Sequence, residues 1–198
     1  MTKNILKSAL LIATAVAFFS FDLPEGWFKA GDRPGSYDMG IDKGAGQDGK
    51  NAATIKSIDA KINGFGTLMQ NCLPAKYIGK RVRMSGFLKT KDVSDWSGFW
   101  LRIDQANTTE ILSFDNMHDG AKDRSVKGTT GWTKYDIVLD VPAAASNLAY
   151  GALLSGTGQI WFDNIKFEIV DNTVPLTGKE WNSPKASQTE PVNLDFEK

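Results

Sequence analysis

Cysteine and histidine are nearly missing from this chain. Cys72 is the only cysteine and His118 the only histidine among 198 residues. One cysteine excludes an intramolecular disulfide, so the domain must rest on its core. Without a paired histidine in a recognisable motif, Cys72 reads as a small apolar residue rather than a nucleophile. One histidine excludes a multi-His zinc centre and leaves little for a Ser-His-Asp triad. An excess of either charge is missing too: 23 Lys and Arg balance 23 Asp and Glu. Nothing in that balance attracts nucleic acid or an anionic membrane surface. The chain also lacks a phosphate loop, a dinucleotide fingerprint, a CxxC and an HExxH. After Asp22, no window sustains the 3.6-residue period of an amphipathic helix.

What the chain has in quantity is glycine, at 19 residues, and aromatics, at 11%. Both suit a β-rich domain with tight turns, and the length permits one domain with a full core. The N-terminus stands apart. Lys3 and Lys7 precede an apolar run from Ala9 to Phe21, which Asp22 and Pro24 end. The run is shorter than the ~20 residues of a membrane-spanning helix and has the form of a signal-peptide core. Residues 1–21 therefore read as a signal peptide, with a small-x-small cleavage motif ending at Ala17. The expected location is periplasmic or extracellular, and an uncleaved N-terminus would instead act as a membrane anchor. No Cys stands directly after the run to carry a lipid.

Residues 22–171 read as the folded domain. Strands are expected at Ser36–Asp42, Ala52–Ser57, Gly64–Gln70, Lys80–Thr90, Gly98–Asp104, Glu110–Asp115, Thr133–Val141, Leu148–Leu154 and Gln159–Val170. Nine short strands with regular turn signals predict an all-β jelly-roll sandwich. The Ala run in "VPAAASNLAY" reads as a loop with at most one helical turn. Residues 172–198, with three Pro and little periodicity, read as an extended polar tail or linker.

Alternation assigns faces. In "GFWLRID", Phe99, Leu101 and Ile103 share one face, and Trp100, Arg102 and Asp104 share the other. In "GQIWFDNIKFEIV", the apolar residues change parity across Asp163-Asn164. That change predicts a β-bulge and leaves Trp161 aimed either at solvent or at the groove of Trp100.

The segments "LPEGWFKAG", "GFGTLMQ", "GKRVRMSGFLKT", "GFWLRID", "SFDNM", "KGTTGWTKYDIVLDVP", "GALLSGTGQIWFDNIKFEIV" and "PVNLDFEK" occur in this order. Together they resemble a bacterial galactose-binding-like jelly-roll module, itself similar to carbohydrate-binding modules. Such modules occur beside erythromycin-esterase-like and tail-specific-peptidase-like catalytic domains and in some regulators. The resemblance covers most of Leu23–Val170. It implies a non-catalytic module, here apart from its usual catalytic partner, and carries over no catalytic residue. It also implies that Trp132 plugs a sandwich edge.

The candidate ligand-binding set is Trp96, Trp100, Arg102, Asp104, His118, Tyr150 and Trp161. Trp100, Arg102 and Asp104 are the strongest group, because an aromatic ring beside a charged donor and an acceptor suits a sugar. The ring stacks on the C–H face of a pyranose and the charged groups bind its hydroxyls. Arg83 and Phe87 are further lining candidates. Asp115, Asn116, His118, Asp119 and Asp123 crowd one loop with ligating atoms. Their spacing is not that of an EF-hand, so no metal ligand is assigned, and a structural Ca²⁺ stays open. The expected function is an exported module that binds carbohydrate or a related small polar ligand, without nucleic acid. A structural or protein-interaction domain, with a partner protein on the aromatic face, is the alternative. An enzyme with a small-molecule pocket is a third reading.

Overall fold

The computed structural model describes residues 20–106, 108 and 110–178. The apolar run and its cleavage motif, through residue 19, and the end of the tail from residue 179, lie outside the described residues. Within them the chain forms nine strands and one short 3₁₀ turn at Pro34–Ser36. The strands are β1 (Phe28–Gly31), β2 (Tyr37–Asp42), β3 (Ala52–Ser57), β4 (Phe65–Cys72) and β5 (Arg81–Gln105). They continue with β6 (Ile111–Asp115), β7 (Val126–Asp140), β8 (Ala145–Ser155) and β9 (Gln159–Val170). All pairings are antiparallel.

β5 belongs to two sheets. Its second half, from Trp96, pairs with β8 on one side and β6 on the other. The first sheet therefore runs β1-β4-β8-β5-β6. Its first half pairs with β7 and β9, so the second sheet runs β7-β5-β9-β3-β2. This is the expected jelly-roll sandwich. Between the sheets lie Met39, Ile55, Leu68, Met84, Leu88, Phe99, Leu101, Ile103, Ile137, Leu148 and Ile160, all essentially inaccessible to solvent. Burying each such side chain contributes about 1.5–3 kcal/mol against conformational entropy.

Two expected strands, Lys80–Thr90 and Gly98–Asp104, prove to be one. The connector "KDVSDWS" carries turn-forming residues, yet it stays paired to β7 through Val93 with Gly128 and Ser97 with Val126. Asp92, at φ 52°, and three register shifts turn the strand from one sheet into the other. Trp96 and Trp132, which fall outside the expected strands, consequently lie inside β5 and β7. The short edge strand β1 was not expected, because "FKAG" shows no alternation beside the Pro24–Gly26 turn. The Ala run forms a turn at Ala143–Ala144 and then enters β8.

The bulge in β9 is present. Ser85 pairs with Lys166 and Phe87 with Asp163, so Asn164 and Ile165 oppose Gly86 alone. Asn164 takes the left-handed conformation, φ 55°, and Asp163 accepts its N–H at 2.7 Å. Ile160 and Phe162 face the core before the bulge, and Ile165 and Phe167 pack against it afterwards.

Candidate functional site

The outer face of the first sheet is not polar. Residues alternating with the core side chains of β4, β8 and β5 form a second apolar cluster of Met69, Ala149, Leu153 and Trp100. Phe65, Trp96, Phe114 and Ala30 pack around it. All of these except Ala149 line a trough of about 440 Å³, with Thr67, Arg102, Asn116 and Asp119 as its polar groups. Between Met69 and Trp100 in the sheet stands Gly151, where β4 and β8 approach closely: a Cβ there would lie 2.3 Å from the Leu68 carbonyl oxygen.

Trp100 is part of the floor and is 7% exposed. Its indole N–H donates to Thr67 Oγ1 at 2.8 Å, and the Thr67 hydroxyl donates to the Ala152 carbonyl at 2.7 Å. The ring is therefore fixed with its polar edge satisfied. Trp96 forms a wall. His118 stacks on it at 4.7 Å between centroids and 22° between planes. His118 also places Nδ1 3.6 Å from the Asp123 carboxylate.

Arg102 reaches the trough from β5, and Asp104 holds it. Nε and Nη2 donate to the two carboxylate oxygens of Asp104 at 2.7 and 3.2 Å. Asn147 gives Asp104 a third hydrogen bond at 3.0 Å. Two of the guanidinium's five N–H donors are thus engaged, and Nη1 and part of Nη2 remain for a ligand. Asp104 acts on Arg102 and does not itself line the trough.

The far wall is the loop after β6. Asp115 is fully buried; it accepts the Met117 N–H and pairs with the Arg124 guanidinium. Asn116 Oδ1 accepts the N–H groups of His118 and Asp119, and its amide donates to Asp119 at 3.0 Å. Asp123 sits below the usual carboxylate range because the Ser125 hydroxyl and N–H donate to it. The oxygen-rich loop considered for Ca²⁺ is thus cross-linked by the protein's own donors. Among the described residues, no group of three or more His, Cys, Asp or Glu is placed to hold a metal ion.

Of the seven candidate residues, Trp96, Trp100 and Arg102 line the trough. Asp104 and His118 stand directly behind it. Tyr150 and Trp161 lie elsewhere. Tyr150 faces the core, 9% exposed, against Trp27 and Phe167, with its hydroxyl on Gln70. Its parity opposes that of Gly151 and Leu153, and burial raises its phenol pKa. Trp161 lies on the outer face of the second sheet. Its N–H donates to Asp42 at 2.7 Å, and the Lys89 ammonium lies 4.4 Å from the ring centroid. The same ammonium is 5.1 Å from the ring of Trp132. Arg83 and Phe87 belong to that second sheet as well. Phe65, Thr67, Met69, Phe114 and Leu153 escaped the sequence reading. The alternation in "GFGTLMQ" places Phe65, Thr67 and Met69 on one face and was their only signal. Cys72 packs at the core's margin as expected, with burial raising its thiol pKa.

No known protein-family profile matches the chain. The uncharacterized HTH-type transcriptional regulator YbfP of Bacillus subtilis (strain 168) is 42% identical over 174 residues. The match takes in 87% of this chain and 57% of that relative, so the chain spans little more than half the relative's length. Among solved structures, the chain is similar to the CBM22-1 xylan-binding domain of Paenibacillus barcinonensis Xyn10C, with TM-score 0.53 and 15% identity. That match covers 75% of this chain and 88% of the other. A second similar structure holds the CBM22-1-GH10 modules of Clostridium thermocellum xylanase 10B complexed with xylohexaose. There the TM-score is 0.53 and the identity 13%, over 74% of this chain and 26% of that one. At such identities the likeness shows a shared fold: this sandwich is built like a carbohydrate-binding module.

Proposed function

We propose that this module binds carbohydrate in the trough on the outer face of its first sheet. The observation that carries the reading is the convergence of Trp96, Trp100 and Arg102 on one concave surface. A pyranose ring laid on Trp100 buries its apolar C–H face, and Trp96 closes on its side. The unpaired donors of Arg102 and the carboxylate of Asp119 then take ring hydroxyls as acceptor and donor. Asp104 fixes the guanidinium beforehand, which lowers the entropy lost on binding. A cavity of this size and mostly apolar character is ordinary for a small ligand. Similarity to modules described as xylan-binding, or complexed with xylohexaose, supports the ligand class.

The reading includes export, motivated by Lys3, Lys7 and the apolar run Ala9–Phe21. A glycan microarray followed by calorimetric titration tests the binding. Saturable binding to at least one plant or microbial glycan is expected. No binding across plant, microbial and host glycans would remove the proposal.

The curated relative favours a second reading, in which the same trough serves as the sensing module of a regulator. The described residues of this chain contain no α-helix. On this reading, what the two proteins share is the β-sandwich, and DNA binding belongs to the rest of the relative. The two readings use one trough. They separate by ligand size: a sensor prefers a mono- or disaccharide, and an adhesive module gains affinity with each added sugar unit.

A further inference from the structure

The loop that forms the trough's far wall is held from behind by a surface segment. Asn116 and Asp119 face the trough. On the other side of the loop, the Ala121 N–H donates to the carbonyl of Thr177 at 2.8 Å. A Cβ placed on Gly120 would lie 2.9 Å from that same carbonyl oxygen. Thr177 is in turn bound to β7: its N–H donates to the Val138 carbonyl at 3.0 Å, and its Oγ1 accepts the Val138 N–H at 2.8 Å. The next residue, Gly178, lies against β6. A Cβ there would lie 2.7 Å from the carbonyl oxygen of Phe114, whose residue also lines the trough. Upstream, Arg81 Nη1 donates to the carbonyls of Asn172 and Val174 at 2.6 and 2.7 Å.

The segment is thus fastened at both ends, and its downstream end touches the wall of the trough through one loop and one strand. It buries little of itself, since Pro175 and Leu176 are exposed. A surface segment held by a few hydrogen bonds opens at lower free energy than the strands beneath it.

We infer that Val174–Gly178 positions the Asn116–Asp119 loop, so that docking of this segment and occupancy of the trough are linked. The inference rests on the trough being the ligand site. Thr177 touches no ligand on this account; it is a positioning residue that acts through Ala121 and the loop. A ligand that engages Asn116 or Asp119 favours the docked segment. By reciprocity, anything that lifts the segment weakens that ligand.

Three variants of the full chain test this. Gly178→Val drives a side chain toward the Phe114 carbonyl and lifts the segment. Thr177→Val removes the acceptor for the Val138 N–H, and Thr177→Ser keeps it. Hydrogen exchange is read first without ligand, at the amides of Met117, His118, Asp119 and Ala121. Exchange roughly tenfold faster is expected in Gly178→Val and Thr177→Val, with near-native rates in Thr177→Ser and in β8. Xylohexaose is then titrated. Several-fold weaker binding is expected in the first two variants and recovery in Thr177→Ser. Saturating sugar should slow exchange at Ala121 and Val138 in the unaltered chain.

Unchanged loop exchange in both disruptive variants overturns the positioning role, whatever the trough binds. A loosened loop with undiminished affinity overturns the linkage. Failure of the unaltered chain to bind xylohexaose removes the linkage to this sugar, while the exchange rates still decide the positioning role.

Discussion

Thr67 has one hydroxyl, and both of its hydrogen bonds serve the trough floor. It accepts from Trp100 and donates to Ala152 in a place that solvent hardly reaches. Thr67→Val keeps the shape and leaves the Trp100 N–H unpaired. A loss of about 1–3 kcal/mol is expected in denaturant unfolding, with weaker ligand binding. Tyr37 gives a different prediction. Its buried hydroxyl donates toward the carbonyls of Gly156, at 2.8 Å, and Gly64, at 3.1 Å. Burial, with smaller contributions from Asp32 and Asp95, pushes its pKa up to about 12 from an ordinary 10.0. The folded state therefore holds the phenol proton more tightly than the unfolded chain does. The resulting stabilisation is complete below pH 10 and is lost as pH rises through about 12. Unfolding measured at pH 9 and pH 11.5 should show a larger drop for the unaltered protein than for Tyr37→Phe, and an equal drop would contradict this assignment. Trp100 and Arg102 were legible in the sequence because period two puts them on the face opposite Phe99 and Leu101. Thr67 was not legible: a strand threonine announces no partner 33 residues away.

The strands show the same division. Local alternation was enough to place β2, β3 and β9, because a half-buried strand must repeat every second residue. It could not show that β5 runs through a turn-rich connector, since cross-strand pairing to β7 overrides local turn preference there. Parity also names a face without naming a sheet. Trp161 therefore remained a candidate for the groove of Trp100 until the pairing of β9 with β3 placed it on the second sheet. The walls of the trough were hidden for a related reason. The sheet brings β4, β8 and β5 side by side, and no two neighbours among them are consecutive in the chain. The bulge of β9 was legible as a parity change, and it yields an element-scale prediction. Asn164→Val forces a β-branched residue into the left-handed conformation and should cost about 1–2 kcal/mol. Asn164→Gly should be close to neutral. Thermal unfolding of the two variants checks the difference, and equal melting temperatures would contradict the bulge assignment.

At the scale of the whole molecule, the two faces of the sandwich differ in kind. The first sheet offers a walled apolar trough, and the second offers Trp132, Lys89 and Trp161, already engaged with one another. Ser20 and Phe21, which the sequence groups with the signal peptide, pack on the domain. Asp38 accepts hydrogen bonds from the Ser20 hydroxyl and the Phe21 N–H, and the Ile41 N–H donates to the Asp22 carbonyl at 2.8 Å. If the protein is exported as proposed, cleavage should follow Ala17 and leave this strap in place. Intact mass of the protein recovered from the periplasm or medium should correspond to an N-terminus at Phe18. An N-terminus after Phe21, or the uncut chain in the membrane fraction, would contradict that cleavage. The central claim, carbohydrate in the trough, is tested most directly by calorimetric titration of xylohexaose, or of the best glycan from an array. Three proteins are compared: the unaltered chain, Trp96→Ala and Trp161→Ala. The account predicts saturable binding, at least about tenfold weaker in Trp96→Ala, a loss of roughly 1.4 kcal/mol, and unchanged in Trp161→Ala. Binding that survives Trp96→Ala and falls with Trp161→Ala would contradict it.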